Sequence, residues 1–503
     1  MGLATSELCK KKADRCMASS PSLRKLIMLN KPSWIGILMV VTGCTVGPDY
    51  RKPISNAPTS WQAETRANPA LSTIDPKQLH NWWLRFNDTP LNALMAKALA
   101  GNLDLKIAYT RIDQARAERR GTQAELFPNV NIKAGAQRQD NPLPALAPGI
   151  RYNMFELGFD ALWEIDLFGR QQRRLEAASA ELDGANAGYQ QALVTLSAEL
   201  ARSYVEYRSA QNQLRITSSN LQTQQATLSL TEKLFDEGVV ARHEVVRSRA
   251  LTETTMAQIP ALEAKLTGLL RQLELLVGQH PGSLALELSP LGAVPQAAGA
   301  EVLASPAASL RNRPDIYIAE RQLAAATALQ GSAVAELFPK ISLSAFLGLR
   351  NTDLESLFKS AAFSYGTAAN LLQPLLNFGR IRAGIQLADA RQQEAYLSYE
   401  KTILEALRET ETVLSRYLNE EQRRLLASST LDLRESVRLS ELRYQEGVIS
   451  FLDVLDSQRS LYAAEIELAR SESDTATHLI AVYKALGGGP ENSSMQSQFV
   501  EEP

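Results

Sequence analysis

The chain has 503 residues, of which 45% are hydrophobic and 21% are charged, and its formal net charge is −2. This near-average composition excludes a disordered chain, a collagen and a disulfide scaffold. The small net charge argues against nucleic acid as the main partner. No run of 18 uninterrupted apolar residues occurs, which excludes a bundle of transmembrane helices. Length alone favours about three domains of ~150 residues.

The N-terminus has the pattern of a secretion signal. Arg24, Lys25 and Lys31 precede an apolar run at 34–41, and Thr-Gly-Cys44 follows. A basic region, a short apolar run and small residues at the cut are typical of a secretory signal. The run is too short to span a bilayer, which takes about 20 residues. The residues before Cys44 also resemble a bacterial lipobox, in which the cysteine is lipidated and becomes the first residue of the mature chain.

We therefore expect residues 1–43 to be removed and Cys44 to carry the lipid. A leader that starts at Met1 is long, and a start at Met17 or Met28 gives an ordinary length. Met1-Gly2 also fits a loose myristoylation pattern, which does not explain the apolar run. Cleavage leaves 46 basic and 53 acidic residues, a net charge of −7, and one cysteine. Such an anchor holds a protein to a membrane without spanning it.

Four short motifs occur twice in the same order. They are Glu125–Pro128 with Glu336–Pro339, Phe168–Arg170 with Phe378–Arg380, Phe235–Val239 with Tyr444–Val448, and Leu276–Gly278 with Ala485–Gly487. The offsets are 211, 210, 209 and 209 residues. A near-constant offset over four motifs predicts a tandem duplication.

The duplication divides the chain into a leader, an N-terminal segment, two repeats, a connector and a tail. The predicted boundaries are 1–43 for the signal peptide, 44–100 for the anchored N-terminal segment, 101–280 for the first repeat, 281–311 for the connector, 312–488 for the second repeat, and 489–503 for the polar C-terminal tail.

Each repeat begins with a helix and two strands. Residues 103–125 have few helix breakers and predict a helix. Apolar residues alternate with polar ones at 130–136 and at 155–163, and this period of two predicts two strands. The second repeat has the same alternation at 341–349 and at 363–371.

Each repeat then continues as a long helical hairpin. No proline occurs from 170 to 259. An apolar or aromatic residue recurs there every seven positions, at Leu193, Leu200, Tyr207, Leu214, Leu221, Leu228 and Phe235. A heptad of this length predicts supercoiling against neighbouring helices. A helix over 170–235 is about 100 Å long. Gly238 ends it, and a return helix runs to Gly278. The second repeat has a long helix over 380–445, a break at Gly447 and a return helix to Leu486.

Four strands per chain are too few for a membrane barrel, which has at least eight. An open sheet edge cannot face lipid, because its backbone N–H and C=O groups would be unpaired. Two chains would pool 8 strands and three would pool 12. The helices are too long for a bilayer of ~30 Å and must project from it. Alternating strands also occur in soluble sheets, and long heptads also form rods. The leader, the lipobox and the duplication together favour a lipid-anchored trimeric barrel with a helical extension.

The motifs resemble those of the TolC-like outer-membrane factors, specifically the lipoprotein branch that includes NodT and serves tripartite efflux pumps. The resemblance covers about 44–490 and is carried by residues 44–53, 82–86, 313–316, 338–339, 447–456 and 483–489.

The resemblance implies a mixed fold, mainly α with β. A homotrimer would form a 12-stranded outer-membrane β-barrel, continued by an α-helical coiled-coil barrel across the periplasm. The N-terminal segment, the connector and the C-terminus would form an equatorial domain. The duct would export drugs, toxic compounds or metal ions passively, with a periplasmic adaptor and an inner-membrane pump as partners. It would be no enzyme and would use no cofactor. The alternatives are a type I secretion duct and a lipid-anchored coiled-coil scaffold without a pore.

The resemblance also implies a gate at the periplasmic tip, formed by the turns at 236–244 and 446–453. Leu452 matches an apolar ring position, and Asp453 and Asp456 match positions that line the constriction. Threefold symmetry would bring each carboxylate near two copies of itself, making a ring that attracts cations and raises the carboxyl pKa values. Alternatively, Asp453 stabilises the first turn of its helix through the helix dipole. Ile449 replaces a basic residue of some relatives, so we do not expect an identical ion-pair lock.

The two tip turns are the expected docking site of the adaptor. Gly238 and Gly447 fit tight turns at helix C-termini, and Val239 and Val448 follow them. The four histidines, His80, His243, His280 and His478, are scattered without the spacing of a metal site. No nucleotide-binding, serine-hydrolase or zinc-protease motif occurs, so we expect neither a metal nor a cofactor.

Overall fold

The computed structural model describes residues 45–53, 58, 61, 72–74, 79–140, 151–297, 301–303, 310–426, 430–446 and 448–490. The predicted leader, Cys44, Gly447 and residues 491–503 lie outside the described residues.

From the N-terminal segment to the end of the connector, the described residues form six α-helices and four strands. They are β1 (Ser72–Ile74), α1 (Thr89–Gly101), α2 (Leu103–Ala124), β2 (Asn129–Asp140), β3 (Arg151–Ile165), α3 (Arg170–Asp236), α4 (Arg242–Met256), α5 (Ile259–Val277), α6 (Ala285–Leu288) and β4 (Glu301–Leu303). The second repeat contains α7 (Pro314–Ala335), β5 (Lys340–Asn351), β6 (Phe363–Leu372), α8 (Arg380–Leu426), α9 (Thr430–Gln445) and α10 (Phe451–Ala485).

The predicted helix and strands at the start of each repeat are confirmed, and so is the first long helix. Helix α3 has 67 residues, a length of about 100 Å. We expected one continuous return helix in the first repeat. The structure instead has two helices, α4 and α5, with an interruption between them. Pro260 occupies the first turn of α5, where its missing N–H is tolerated and the preceding turn cannot continue. The long helix of the second repeat is described as α8 and α9, and residues 427–429 between them lie outside the described part.

Four strands form one antiparallel sheet in the order β2-β3-β5-β6. Ile132 pairs with Phe159, Phe159 with Leu347, and Leu347 with Tyr365. This apolar row crosses all four strands, and its side chains are exposed. The next row, which begins at Lys133, points to the opposite face and contains two glycines and a serine. The sheet therefore has one apolar face and one polar face.

The two repeats share hydrogen bonds as well as their order of elements. The indole Nε1 of Trp163 donates to the carbonyl oxygen of Leu126 at 2.9 Å. The amide Nε2 of Gln373 donates to the carbonyl oxygen of Leu337 at 3.1 Å. The donors are 210 residues apart and the acceptors 211 residues apart, as the sequence motifs require.

The main hydrophobic core lies where α3 passes α1, α5 and the C-terminal half of α10. Trp82 stacks on Tyr483 with ring centroids 5.1 Å apart, and Leu193 and Leu200 of α3 are fully buried beside them. The guanidinium of Arg208 donates to the carbonyl oxygen of Pro290 at 2.7 Å and fastens the connector to α3. Among the described residues, no helix combines the length and the apolar character that crossing a membrane requires.

The predicted heptad of α3 is buried only in its first half. Phe235, at the far end, is 40% exposed. Toward the tip the buried residues of α3 are instead polar ones, namely Thr217, Gln224 and Thr231. Helix α4 packs against α3 and buries Val245 together with three small polar residues, Ser248, Thr252 and Thr255. The buried residues of this hairpin toward the tip are therefore mainly polar.

Residues 45–53, which we call the strap, lie across both repeats. The N–H of Val46 donates to the carbonyl oxygen of Phe168 at 3.2 Å. Asp49 pairs with Arg173 of α3 at 2.7 Å, and Lys52 pairs with the buried Glu320 of α7 at 2.7 Å. The strap thereby connects the start of α3 to α7.

Two glycines test the close packing of the sheet. A Cβ on Gly348 would lie 2.5 Å from the Cα of Gly158, whereas a Cβ on Gly366 meets nothing within 4 Å. We expect Gly348→Ala to cost about 1–3 kcal/mol through overpacking. Gly366→Ala is the matched control. Thermal unfolding in detergent, followed by circular dichroism, should show a lower Tm for Gly348→Ala. Equal melting temperatures for the two variants would contradict this packing.

Candidate functional site at the helix tips

The turn between α3 and α4 is a tight helix terminus. Gly238 has φ +76°, which glycine adopts without strain. Its N–H donates to the carbonyl oxygen of Phe235 at 2.9 Å, and the N–H of Val239 donates to that of Leu234 at 2.8 Å. These two bonds are those of a Schellman motif. The turn leaves the Val239 side chain exposed at the end of the hairpin.

The turn between α9 and α10 repeats part of this arrangement. The N–H of Val448 donates to the carbonyl oxygen of Arg443 at 2.9 Å, the counterpart of the Val239 bond. Val448 is exposed, like Val239. Gly447, the predicted turn glycine, lies outside the described residues.

Asp453 caps the start of α10. Its Oδ2 accepts hydrogen bonds from the Oγ of Ser450 at 2.7 Å and from the N–H of Ser450 at 2.9 Å. Together with the hydrogen bond that the backbone N–H of Asp453 donates to the Ser450 side chain, this is a capping box. The hydrogen bonds from Ser450 hold the pKa of Asp453 below its usual value. Within one chain Asp453 thus takes the alternative, helix-stabilising role. A rise of its pKa by crowding stays a prediction for an assembly of chains.

Asp456 lies one turn further along α10. Its carboxylate is 3.4 Å from the guanidinium of Arg459, and its side chain is 71% exposed. Leu452, on the preceding turn, is also exposed. Asp456 and Arg459 line a cleft of about 260 Å³ between α10 and α4, together with Arg247 of α4. The predicted gate residues therefore form an accessible face at the start of α10.

Two charged residues of the first hairpin were not singled out from the sequence. Glu244 and Arg247 stand 209 residues before Asp453 and Asp456, so aligning the repeats would have identified them. The Oε2 of Glu244 is buried and has no hydrogen-bond partner among the described residues. Burial and the charge of Glu244 raise the pKa of Tyr444 on α9. Glu244 of the first hairpin therefore lies near Tyr444 of the second.

The tip offers acidic and basic side chains but no arrangement typical of a metal centre. In the part of the chain that the structure describes, no three His, Cys, Asp or Glu residues are grouped so that they could hold a metal ion.

The chain matches the family model described as "Outer membrane efflux protein" over residues 94–279 and 306–488. It is similar to nodulation protein T of Rhizobium leguminosarum bv. trifolii, with 31% identity over 90% of this chain and 96% of that protein. It is 30% identical to the cation efflux system protein CusC of Escherichia coli K12, over 90% of this chain and 98% of that one.

Among solved structures, the outer-membrane channel OprN superimposes with a TM-score of 0.83 at 36% identity. The match covers 89% of this chain and 99% of that one. The mainly helical fold with few strands is thus confirmed, as are the predicted efflux role and outer-membrane location. The chain belongs to the outer membrane efflux protein family.

Proposed function

We propose that three copies of this chain form a passive duct through the outer membrane, through which a tripartite efflux pump exports small molecules. The observation that supports this is the four-stranded sheet, with one apolar face and with β2 and β6 at its edges. Lipid can cover the apolar face, but it cannot pair the backbone of the edges. Three copies bring 12 strands, which is enough to close a barrel.

The helical hairpins support the same assembly. Helix α3 is about three times as long as a bilayer core of ~30 Å is thick, so it extends into the periplasm. Its apolar heptad remains partly exposed toward the tip, from Leu214 to Phe235. A ring of hairpins from three chains would cover this line, as adjoining helices do in coiled coils.

The tips are the proposed gate and the proposed docking site of the adaptor. Leu452, Asp453 and Asp456 would form apolar and acidic rings in a trimer, because threefold symmetry repeats each side chain around the axis. Within one chain, Glu244 of the first hairpin lies near enough to Tyr444 of the second for its charge to raise the Tyr444 pKa. An adaptor that binds the turns at Gly238–Val239 and Gly447–Val448, with the inner-membrane pump behind it, would open the ring.

The proposed lipid anchor is Cys44. Thr45, the next residue, lies against Gly169 at the junction of β3 and α3, since a Cβ on Gly169 would come 2.7 Å from its Cγ2.

The mass of the detergent-solubilised protein and its conductance in planar bilayers test the duct. We expect the mass of three chains and discrete conductance steps. A monomer or dimer without conductance would instead indicate a scaffold without a pore. Conductance that appears only with partners of a protein-secretion system would indicate a type I secretion duct.

Neutralising Asp456 tests the gate. We expect Asp456→Ala to raise the basal conductance several-fold and to weaken its dependence on divalent cations, because one acidic ring is removed. Asp353→Ala, in the exposed loop between β5 and β6, is the control and should conduct like the parent. Unchanged conductance and cation dependence in Asp456→Ala would exclude this residue from the gate.

Asp453→Asn tests the capping role. The lowered pKa means that the stabilisation is present above the ordinary value of about 3.9 and is lost as the pH falls through the lower value. We expect the amides of the first turn of α10 to exchange hydrogen roughly threefold to tenfold faster in Asp453→Asn. Asp456→Asn, which lacks a cap contact, should exchange like the parent. Faster exchange in both variants, or in neither, argues against the capping role.

A further inference from the structure

The junction between β3 and α3 packs tightly on the second repeat. The ring of Phe168 stacks on that of Phe338, with centroids 4.7 Å apart and planes 22° apart. Arg170 pairs with Glu164 at 2.8 Å and with Glu336 at 3.3 Å. These contacts join the end of the second strand of repeat one to the helix–strand turn of repeat two.

The equivalent junction between β6 and α8 lacks such contacts. Phe378, the counterpart of Phe168, is fully exposed and held at φ +49°, which is unusual for a residue other than glycine. Leu375 and Leu376 just before it are also exposed. Among the described residues, no ion pair to Arg380, the counterpart of Arg170, is found. Phe378 and Arg380 of the second repeat thus lack the packing that their counterparts, Phe168 and Arg170, have in the first.

The complementary half of this contact is exposed at the other edge of the sheet. The counterparts of Phe338 and Glu336 are Phe127 and Glu125, at the turn between α2 and β2. Phe127 is 63% exposed, and the Glu125 side chain is 51% exposed and lies 3.7 Å from the guanidinium of Arg174 in its own chain. Phe378 follows edge strand β6, whereas Phe127 precedes edge strand β2, with β3 and β5 between them. The two halves therefore lie at opposite edges of one sheet.

We propose that Phe378 stacks on Phe127 of a second copy of this chain, and that Arg380 pairs with Glu125 of that copy. This inference rests on the trimer of the proposed function and names the contacts that join its chains. It follows from the duplication, because the contact between repeats one and two within a chain is repeated between repeat two of one chain and repeat one of the next. Three such contacts close a ring.

The same relation sets the register between the chains. Strand β6 is the counterpart of β3 at an offset of 210 residues, and β2 is the counterpart of β5 at an offset of 211. Applying these offsets to the β3–β5 pairing places β6 antiparallel to β2 of the second copy. Leu371 then lies opposite Ala134, and Ala368 lies opposite Gln137. Leu371 and Ala134 both belong to the apolar face, and Ala368 and Gln137 both belong to the polar face. A register that is shifted by one residue would mix the two faces.

Strand β6 ends at Leu372, and Pro374, which lacks the N–H that continued pairing needs, follows it. In this register Leu375 would lie opposite Val130 of the second copy. Both side chains are exposed in the single chain.

Cysteine cross-linking tests the register. In the double variant Ala368→Cys and Gln137→Cys, the two Cα atoms of neighbouring chains would be about 4.5–5.5 Å apart, within the range of a disulfide. We expect a copper-phenanthroline oxidant to link the chains into covalent trimers. The control combines Ala368→Cys with Asn131→Cys, on the same face but about 20 Å away along the strand, and should stay unlinked. The parent protein, without the introduced cysteines, gives the background.

The outcomes separate this inference from the proposed function. A conducting trimer in which the Ala368–Gln137 pair stays unlinked, or in which the Asn131 pair links equally well, overturns the contact and leaves the duct in place. A monomer without conductance overturns both.

The aromatic contact is tested by a double-mutant cycle on the dissociation temperature of the trimer in detergent. We expect Phe378→Ala and Phe127→Ala each to lower that temperature by a few degrees, and the double variant to lower it no further, because both remove one contact. Phe358→Ala, an exposed aromatic in the β5–β6 loop, is the control and should match the parent. Additive effects of the two substitutions would overturn the stacking.

Discussion

The need to pair every backbone N–H and C=O group at the edges of the sheet is the constraint on which the rest of this structure depends. One chain supplies four strands, and the edges β2 and β6 cannot both be satisfied in lipid by that chain alone. The apolar face needs lipid, so the edges cannot be covered with water instead. The proposed closure by other copies follows from this conflict. The long helices follow too, because they must end outside the bilayer.

The duplication lets the same kind of contact join repeats within a chain and between chains. Trp163 and Gln373 bond equivalent carbonyl oxygens in the two repeats, so the repeats are alike in their side-chain contacts as well as in their strands. A contact that works between the repeats of one chain can then work between chains, as we infer for Phe378. The repeats differ at the tips, where the first has Glu244 and Arg247 and the second has two aspartates. Divergence at the tip gives the proposed gate its acidic charge.

Much of the fold could be predicted from the sequence, because strand alternation and motif offsets are local signals. The heptad of α3 predicted its burial less well. Periodicity does not show which of two adjacent rows of side chains on a helix a neighbouring helix covers. The line through Thr217 is buried, and Thr217 itself lies 3.2 Å from the hydroxyl of Tyr462 on α10, while Phe235 remains partly exposed. The capping role of Asp453 follows from its spacing to Ser450, a short-range pattern. The proximity of Glu244 to Tyr444 depends on how the two hairpins pack, and periodicity carries no information about that packing.

The most direct test of closure by several copies is electron cryo-microscopy of the full-length protein in lipid nanodiscs. We expect three chains, a closed barrel of 12 strands, and β6 of each chain beside β2 of the next. A particle in which the four strands of a single chain remain an open sheet, or in which strands of other elements pair with β2 and β6, would contradict it.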